Sequence, residues 1–424
     1  MEGKSRRLNS ATVPATPIHF LGPELLCSIF ASLNHFDLVR CSAVCKSWHK
    51  IINSSNLFKE LYFKQSLGPT ISVPSDKLLK EYFEDLAMEQ HKVALVSGSV
   101  EVHRWKTHSV GINQCRMKTG LIVTGGGDKV VRLWSSESYK CLGEYSVPRM
   151  SPLIDFDFDE SKIVGLIEGH LCIWRRQGKR SIFPSKEGTF SRGLCMRYID
   201  PEAAVGCGDG TVRVFDMYSQ SCSRIIRMHS GSITCLALTD DQMIVSGSSL
   251  GSITVAGLSF DQRVGYLRTS TALAGIRTLS FNQSSYSVYA GSTNGYCHCW
   301  DLRTMKPLWE KRVSPNVVYS VHHMDGDKSA LVVGGIDGIL RILDKKTGEL
   351  LASYVAETSS ISSSCSNDKL GVMGRKQCRK LTEDTLIDDI PRQMRPSITC
   401  VAVGMKKVVT THNEKYTRVW KFDK

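Results

Sequence analysis

The sequence predicts a mostly β fold, in which a ring of seven repeated sheet units follows a small all-α module. Three observations carry this expectation. An apolar tetrad ending in an aromatic residue or its substitute recurs about every forty residues. An acidic or amide residue stands at a fixed place ahead of six of the seven copies and a glycine follows that place in five, the pattern of a tight turn, and the residues before Lys92 carry helical rather than strand periodicity. The 424 residues are 42% apolar with 34 glycines and 13 prolines, which excludes a wholly disordered or collagen-like chain.

In chain order, residues 1–17 (MEGKSRRLNSATVPATP) hold no apolar core and are expected to be disordered. From His19 to Leu33 the apolar residues Leu25, Leu26, Ile29, Phe30 and Leu33 share one face of a helix. Pro23 suits its first turn, and Glu24 favours the positive N-terminal end. Asp37 has N-cap character ahead of LVRCSAVCKSWHKII, where Leu38, Cys41, Val44, Cys45 and Trp48 line a second helical face. A third apolar segment, NLFKELYF, follows Ser54 and Ser55. So small a bundle, residues 18–64, has little core of its own and is suited to folding against a partner. Residues 65–91 form a linker: Pro69 and Pro74 mark a break, and Ser75 or Asp76 caps a helix carrying Leu79, Phe83 and Leu86. A helical linker would hold the ring at a fixed distance from the bundle, as a Gly/Ser linker would not.

The runs L-x-P-E-L-L-x-x-I-F-x-x-L and D-L-V-R-C-S-x-V-C-K-x-W resemble the F-box family across residues 20–62. The resemblance implies docking onto the Skp-type adaptor of a cullin-based ubiquitin ligase, with Leu21, Pro23, Leu25, Ile29, Leu38, Val44 and Trp48 as contact or supporting residues. Gly22 stands where proline is frequent in that family, which loosens the start of the helix.

The repeats occupy residues 92–424. Their terminal positions are Trp134, Trp174, Phe215, Ala256, Trp300, Leu343 and Trp420, at spacings of 40, 41, 41, 44, 43 and 77 residues. Positions not used to set this alignment agree with it. Asp128, Glu168, Asp209, Leu250, Asn294, Asp337 and Glu414 stand six residues ahead, and Lys129, Gly169, Gly210, Gly251, Gly295, Gly338 and Lys415 come directly after them. Such pairs tolerate the positive φ of a tight turn between antiparallel strands. A sheet of this size cannot bury both faces alone, so neighbouring units must stack, and a closed ring removes the exposed ends.

These repeats are similar to the WD-repeat family, and the resemblance implies a seven-bladed WD-repeat β-propeller. Full Trp-Asp stands at Trp300 and Asp301, with Phe215–Asp216 and Leu343–Asp344 as degenerate copies. The last unit ends at its third strand, and in the family an N-terminal segment commonly supplies the missing outer strand; Val100 to Trp105 is assigned that role. His108 and His229 fall where the family often places a buried histidine bonded to the turn acid and the strand tryptophan. That structural role is expected for them, and a catalytic His108–Asp128 site is not, because an active site needs one converging set of groups.

The long final spacing contains about 35 extra residues, mostly within 357–394, too polar for another blade. A mobile surface loop is expected there, and its cluster Arg375, Lys376, Arg379 and Lys380 reads as solvated charge rather than an import signal.

Fifteen cysteines, an odd number without a CxxC pair, read as reduced core thiols. No nucleophile elbow, phosphate loop or metal-ligand set stands out, so neither catalysis nor a cofactor or metal is expected. With no secretory leader and no run of 18 apolar residues, the chain is expected to be intracellular, in cytoplasm or nucleus, and without a membrane partner. The formal net charge of +13 favours acidic partners. Arg149, Arg192, Arg277 and Arg395 lie near the starts of innermost strands and would suit an acidic or phosphorylated segment of a target protein. Nucleic acid is not expected, since aromatic and basic residues do not interleave. Together these features imply the substrate-recognition subunit of an SCF (Skp–cullin–F-box) ubiquitin ligase; the alternative is a WD-repeat interaction scaffold without ubiquitin transfer.

Overall fold

Helix former and strand former segregate along the chain, and the chain divides accordingly into two units, residues 1–87 and 88–424. The computed structural model describes residues 21–33, 37–38, 41, 45–57, 60, 76–118, 120–148, 152–176, 181–183, 192–239, 241–257, 263–269, 274–324, 329–357, 373–382, 387–392 and 395–423. The expected disordered N-terminus lies outside them.

In the first unit, helix α1 (Pro23–Ala31) starts at Pro23, with Gly22 as an extended N-cap that offers no side-chain hydrogen bond. Leu26 and Phe30 are buried one helical turn apart, and meet Leu38, Ile52 and Leu57 in one small core. The second predicted helix is interrupted. Asp37, Leu38 and Cys41 are helical, but Cys45 is extended (φ −158°, ψ 161°) and starts a new helix, α2 (Lys46–Ser54). The Cys45 sulfur accepts from the Trp48 amide at 3.5 Å and caps α2; Asp37, expected as the N-cap, is itself helical. Leu57 and Glu60 are helical, as expected for the third segment. The predicted linker helix is α3 (Asp76–Ser97), which runs six residues beyond the expected boundary at residue 91.

In the second unit, five four-stranded antiparallel sheets follow one another in sequence, and a nine-stranded sheet completes the set. The first blade is built from Ile112–Lys118, Leu121–Gly126, Val130–Ser135 and Cys141–Ser146, and the next four repeat this order. Their innermost strands begin at Leu153, Gly193, Ile233 and Ile276, and those of the last two blades at Val318 and Cys400. Each innermost strand contacts the next, and the last contacts the first, so the seven blades close a ring. Ser99–Lys106 pairs along its whole length with Tyr416–Asp423, supplying the outer strand of the seventh blade. This is the closure expected from Val100 to Trp105.

The apolar tetrads are the third strands. Trp134, Trp174, Phe215, Ala256, Trp300, Leu343 and Trp420 are all buried. Packed on both faces, these strands carry near-continuous apolar runs, whereas the outer strand Cys141–Ser146 alternates between exposed and half-buried residues. Cores form between blades rather than within them: Val123, Val131 and Leu133 of the first meet Phe156, Ile163 and Trp174 of the second. A blade therefore has no interior until its neighbour is in place. The turn glycines recur for a steric reason: at Gly338 (φ 75°) a Cβ would fall 2.2 Å from the Arg395 carbonyl oxygen.

The expected mobile loop needs correction. Met373–Lys380 is a strand, and it joins two blades. Its first half pairs with the seventh blade's outer strand (Trp105 opposite Met373, Val102 opposite Lys376), and its second half with the sixth blade's outer strand (Tyr354 opposite Lys380, Glu357 opposite Gln377). This bridge turns two blades into one nine-stranded sheet. Behind it Ala94 and Leu95 at the end of α3 pack with Val102, Tyr354, Trp420 and Phe422. A 3-10 turn follows at Ile387–Asp389; residues 358–372, with the serine-rich run, lie outside the described residues.

Candidate functional site

Two surfaces, one on each unit, carry features suited to docking. On α1, Leu26 and Phe30 take the buried stripe, which turns Leu25 and Ile29 outward at 58% and 43% exposure. Pro23 beside them is exposed and Leu21 half-buried. Trp48 on α2 packs edge-on against Phe30 at 5.2 Å, and its indole nitrogen has no hydrogen-bond partner among the described residues. Leu38 is fully buried and supports this face from beneath. Val44 lies outside the described residues.

The second surface is the axial cavity of the ring, about 710 Å³, lined by the innermost strands of all seven blades. Its wall carries an ion network anchored on the D-F-D run of the second blade. Asp155 Oδ1 accepts from Arg116 at 2.9 Å, and Asp155 Oδ2 accepts from the Met196 amide at 3.0 Å. Asp157 accepts from Lys118 at 2.6 Å and from the Tyr198 amide at 3.1 Å. Three blades are thereby tied together. Burial works against the Asp157 carboxylate, but Lys118, Arg116 and Arg197 outweigh it and hold its pKa at about 2. Burial, helped by Arg116, Arg197 and Lys118, lowers His322 to about 4 and leaves it neutral. The lining contains Arg116, Lys118, Arg197 and Arg277 against Asp155 and Asp157, an excess of cations facing the space.

Of the arginines expected to bind a target, Arg277 lines the cavity, and Arg192 and Arg395 are not among its lining residues. Arg277 is exposed at the cavity, 5.9 Å from the Tyr319 ring centre. Arg192 is exposed, and its carbonyl accepts from the Gly208 amide. Arg395 is buried and donates to the carbonyls of Ile390 (2.8 Å) and Asp337 (3.0 Å), so it secures a turn. Arg149 lies outside the described residues. Arg116 and Arg197, which do reach the cavity, were missed; both hold the same place within an innermost strand, in the first and third repeats, and that recurrence is the signal that would have found them.

His108 is wholly buried and belongs to a chain of bonds rather than a reactive set. Trp134 Nε1 donates to Thr124 Oγ1 (2.9 Å), which lies 2.8 Å from His108 Nε2, and His108 Nδ1 lies 2.8 Å from Asp128 Oδ1. In the seventh blade, Trp420, Thr410 and His412 repeat it, ending on the Pro396 carbonyl. His229 Nε2 meets Ser246, which holds the place of Thr124, and its Nδ1 meets Ser252, Leu250 standing where the first blade has its turn acid. Among the described residues no group of His, Cys, Asp and Glu is placed to hold a metal ion.

Comparison with known proteins agrees with this division of the chain. An F-box-like family model matches residues 21–64, a WD domain, G-beta repeat model matches 99–135, and a Nucleolar protein 10-like, N-terminal domain model matches 189–376. An F-box/WD-40 repeat-containing protein of Arabidopsis thaliana is 48% identical over 433 residues, covering 96% of this chain and 95% of its own. The chain belongs to the F-box/WD-40 repeat proteins. Angio-associated migratory cell protein of Homo sapiens is 21% identical to this F-box/WD-40 protein over 261 residues, covering 57% of this chain and 59% of its own. The crystal structure of a computationally designed protein, Ika8, superposes with a TM-score of 0.52 at 16% identity, over 75% of this chain and 98% of that one, a likeness of fold alone.

Proposed function

We propose that this F-box/WD-40 protein is a substrate receptor of an SCF-type ubiquitin ligase, its F-box docking on the Skp-type adaptor and, through it, on cullin, and its propeller holding the protein to be modified. The observation that carries the reading is the outward pair Leu25 and Ile29 on α1, two large aliphatic side chains a helical turn apart in a module whose described residues bury a core of five. Burying each against a partner contributes roughly 1.5–3 kcal/mol, enough together to matter for a bundle this small. Leu21, Pro23 and Trp48 extend that contact, with Leu38 and Val44 supporting it. The chain acts by positioning: it raises the local concentration of a target lysine near the charged conjugating enzyme and performs no bond chemistry. Arg277, which shares the cavity wall with Arg116 and Arg197, suits an acidic or phosphorylated segment of the target.

A pull-down with purified adaptor tests the reading. The intact chain should retain the adaptor, and a Leu25→Asp, Trp48→Ala double variant should lose it while the ring melts unchanged; failure of the intact chain to bind removes the basis for the receptor role.

A further inference from the structure

One arginine of the ring is left without the neutralising partner that its counterparts possess. In the first blade Arg132 pairs with the turn acid Asp128 at 2.7 Å, and in the sixth Arg341 pairs with Asp337 at 2.5 Å, in each case four residues apart. The seventh blade puts Arg418 and Glu414 at these places, yet among the described residues no ion pair joins them. Arg418 is only 7% exposed, and its Nη1 has no hydrogen-bond partner among the described residues. A buried guanidinium in that state is destabilising unless something else completes it.

Its neighbours add positive charge rather than removing it. Arg104 stands directly opposite Arg418 across the strand pair that closes the ring, and Gly374 of the bridging strand stands directly opposite Arg104. Strand alternation then puts Lys376, two residues beyond Gly374, on the same face. The Arg104 guanidinium lies 3.5 Å over the Tyr416 ring, which fixes it in place; it makes no hydrogen bond to any described residue. A Cβ built on Gly374 would meet no described atom within 4 Å, which leaves room beside it among the described residues. Burial lowers the Arg418 pKa to about 10, and Arg104 adds to that while Glu414 opposes it; Lys376 is lowered by burial, then by Arg104 and Arg418. The cations repel one another.

We infer that Arg104, Lys376 and Arg418, with the space beside Gly374, form a binding site for a phosphate-type oxyanion. A tetrahedral dianion can accept from both guanidinium forks while the ammonium supplies a third, compact charge. The site lies at the seam made by the bridging strand, apart from the axial cavity, and stands independently of the ligase reading. The same chemistry could come from free phosphate or from the phosphate of an organic monoester.

The test is the melting temperature of the full chain titrated with inorganic phosphate or with phenyl phosphate, against sodium chloride at matched ionic strength. A saturable rise beyond that in chloride is expected. Arg418→Met should melt no lower than the native chain in chloride, because it removes an uncompensated buried charge, and should bind phosphate about tenfold more weakly or worse. Lys376→Met, on the half-exposed bridging strand, should weaken binding without loss of fold. A response to phosphate alone assigns the free ion, and an equal response to phenyl phosphate assigns a monoester. The proposal is overturned if phosphate does no more than chloride, or if both variants keep the full response.

Discussion

Among single residues, the hydroxyl of Thr124 carries more than its size suggests, because it joins the Trp134 indole to the His108 ring in the closed interior of the first blade. Thr124→Val keeps the volume and leaves two buried polar groups unpaired, so it should cost about 2–4 kcal/mol in urea unfolding. A loss below about 0.5 kcal/mol would mean the chain of bonds contributes nothing net. Two of the shifted groups of the axial wall, Asp157 and His322, predict acid sensitivity in separate windows. Asp157, at about 2 against an ordinary 3.8, contributes stability that is present above pH 4 and is lost as pH falls towards 2. His322, at about 4 against 6.5, binds a proton more readily when unfolded, so its effect erodes stability from pH 6.5 down to 4. Asp157→Asn should cost roughly 2 kcal/mol at neutral pH and make the profile shallower below pH 4, and His322→Gln should make it shallower between 6.5 and 4, the other buried histidines, His323 among them, keeping part of the slope; unfolding curves across pH 3–7 check both. The His108–Asp128–Trp134 set was legible in the sequence, because its members recur at fixed places in a repeat. The Asp155 and Asp157 network was not, because it arises only when three innermost strands are brought side by side.

Single elements show where periodicity alone runs out. The helical face from Leu38 to Trp48 read as continuous, but apolar spacing cannot register a backbone break at Cys45, whose extended conformation lets its sulfur cap α2. The bridging strand was hidden for a different reason. M-G-R-K-Q-C-R-K lacks β-branched and aromatic residues, and it is held by ladder bonds on both edges rather than by a buried stripe. Cys378→Pro, in the half that pairs with the sixth blade, would break that ladder and should lower the stability of the ring by about 3 kcal/mol. A melting temperature indistinguishable from the native chain would show that the bridge is an ornament on two independently stable blades.

For the whole molecule, the seven-bladed ring was readable because one unit is written seven times, and errors in a single copy, such as Ala256 or Leu343, are outvoted by the rest. Closure followed from complementary deficits: a last repeat one strand short, and a spare strand ahead of the first. The helical module was readable for its own reason, an order-preserving apolar pattern with too small a core. Where a target binds was far less legible, since channel-facing residues are set by which innermost strands become neighbours, and three of the four expected arginines do not face the cavity or lie outside the described residues. The central claim, that one unit captures a protein and the other delivers it for ubiquitination, is tested most directly by the half-lives of proteins that co-purify with the chain, in cells whose only copy carries Leu25→Asp and Ile29→Asp. The account predicts that these proteins remain bound to the variant, lose ubiquitin and persist longer than with the native chain. Unchanged half-lives and ubiquitin content, with capture intact and adaptor binding lost, would contradict it.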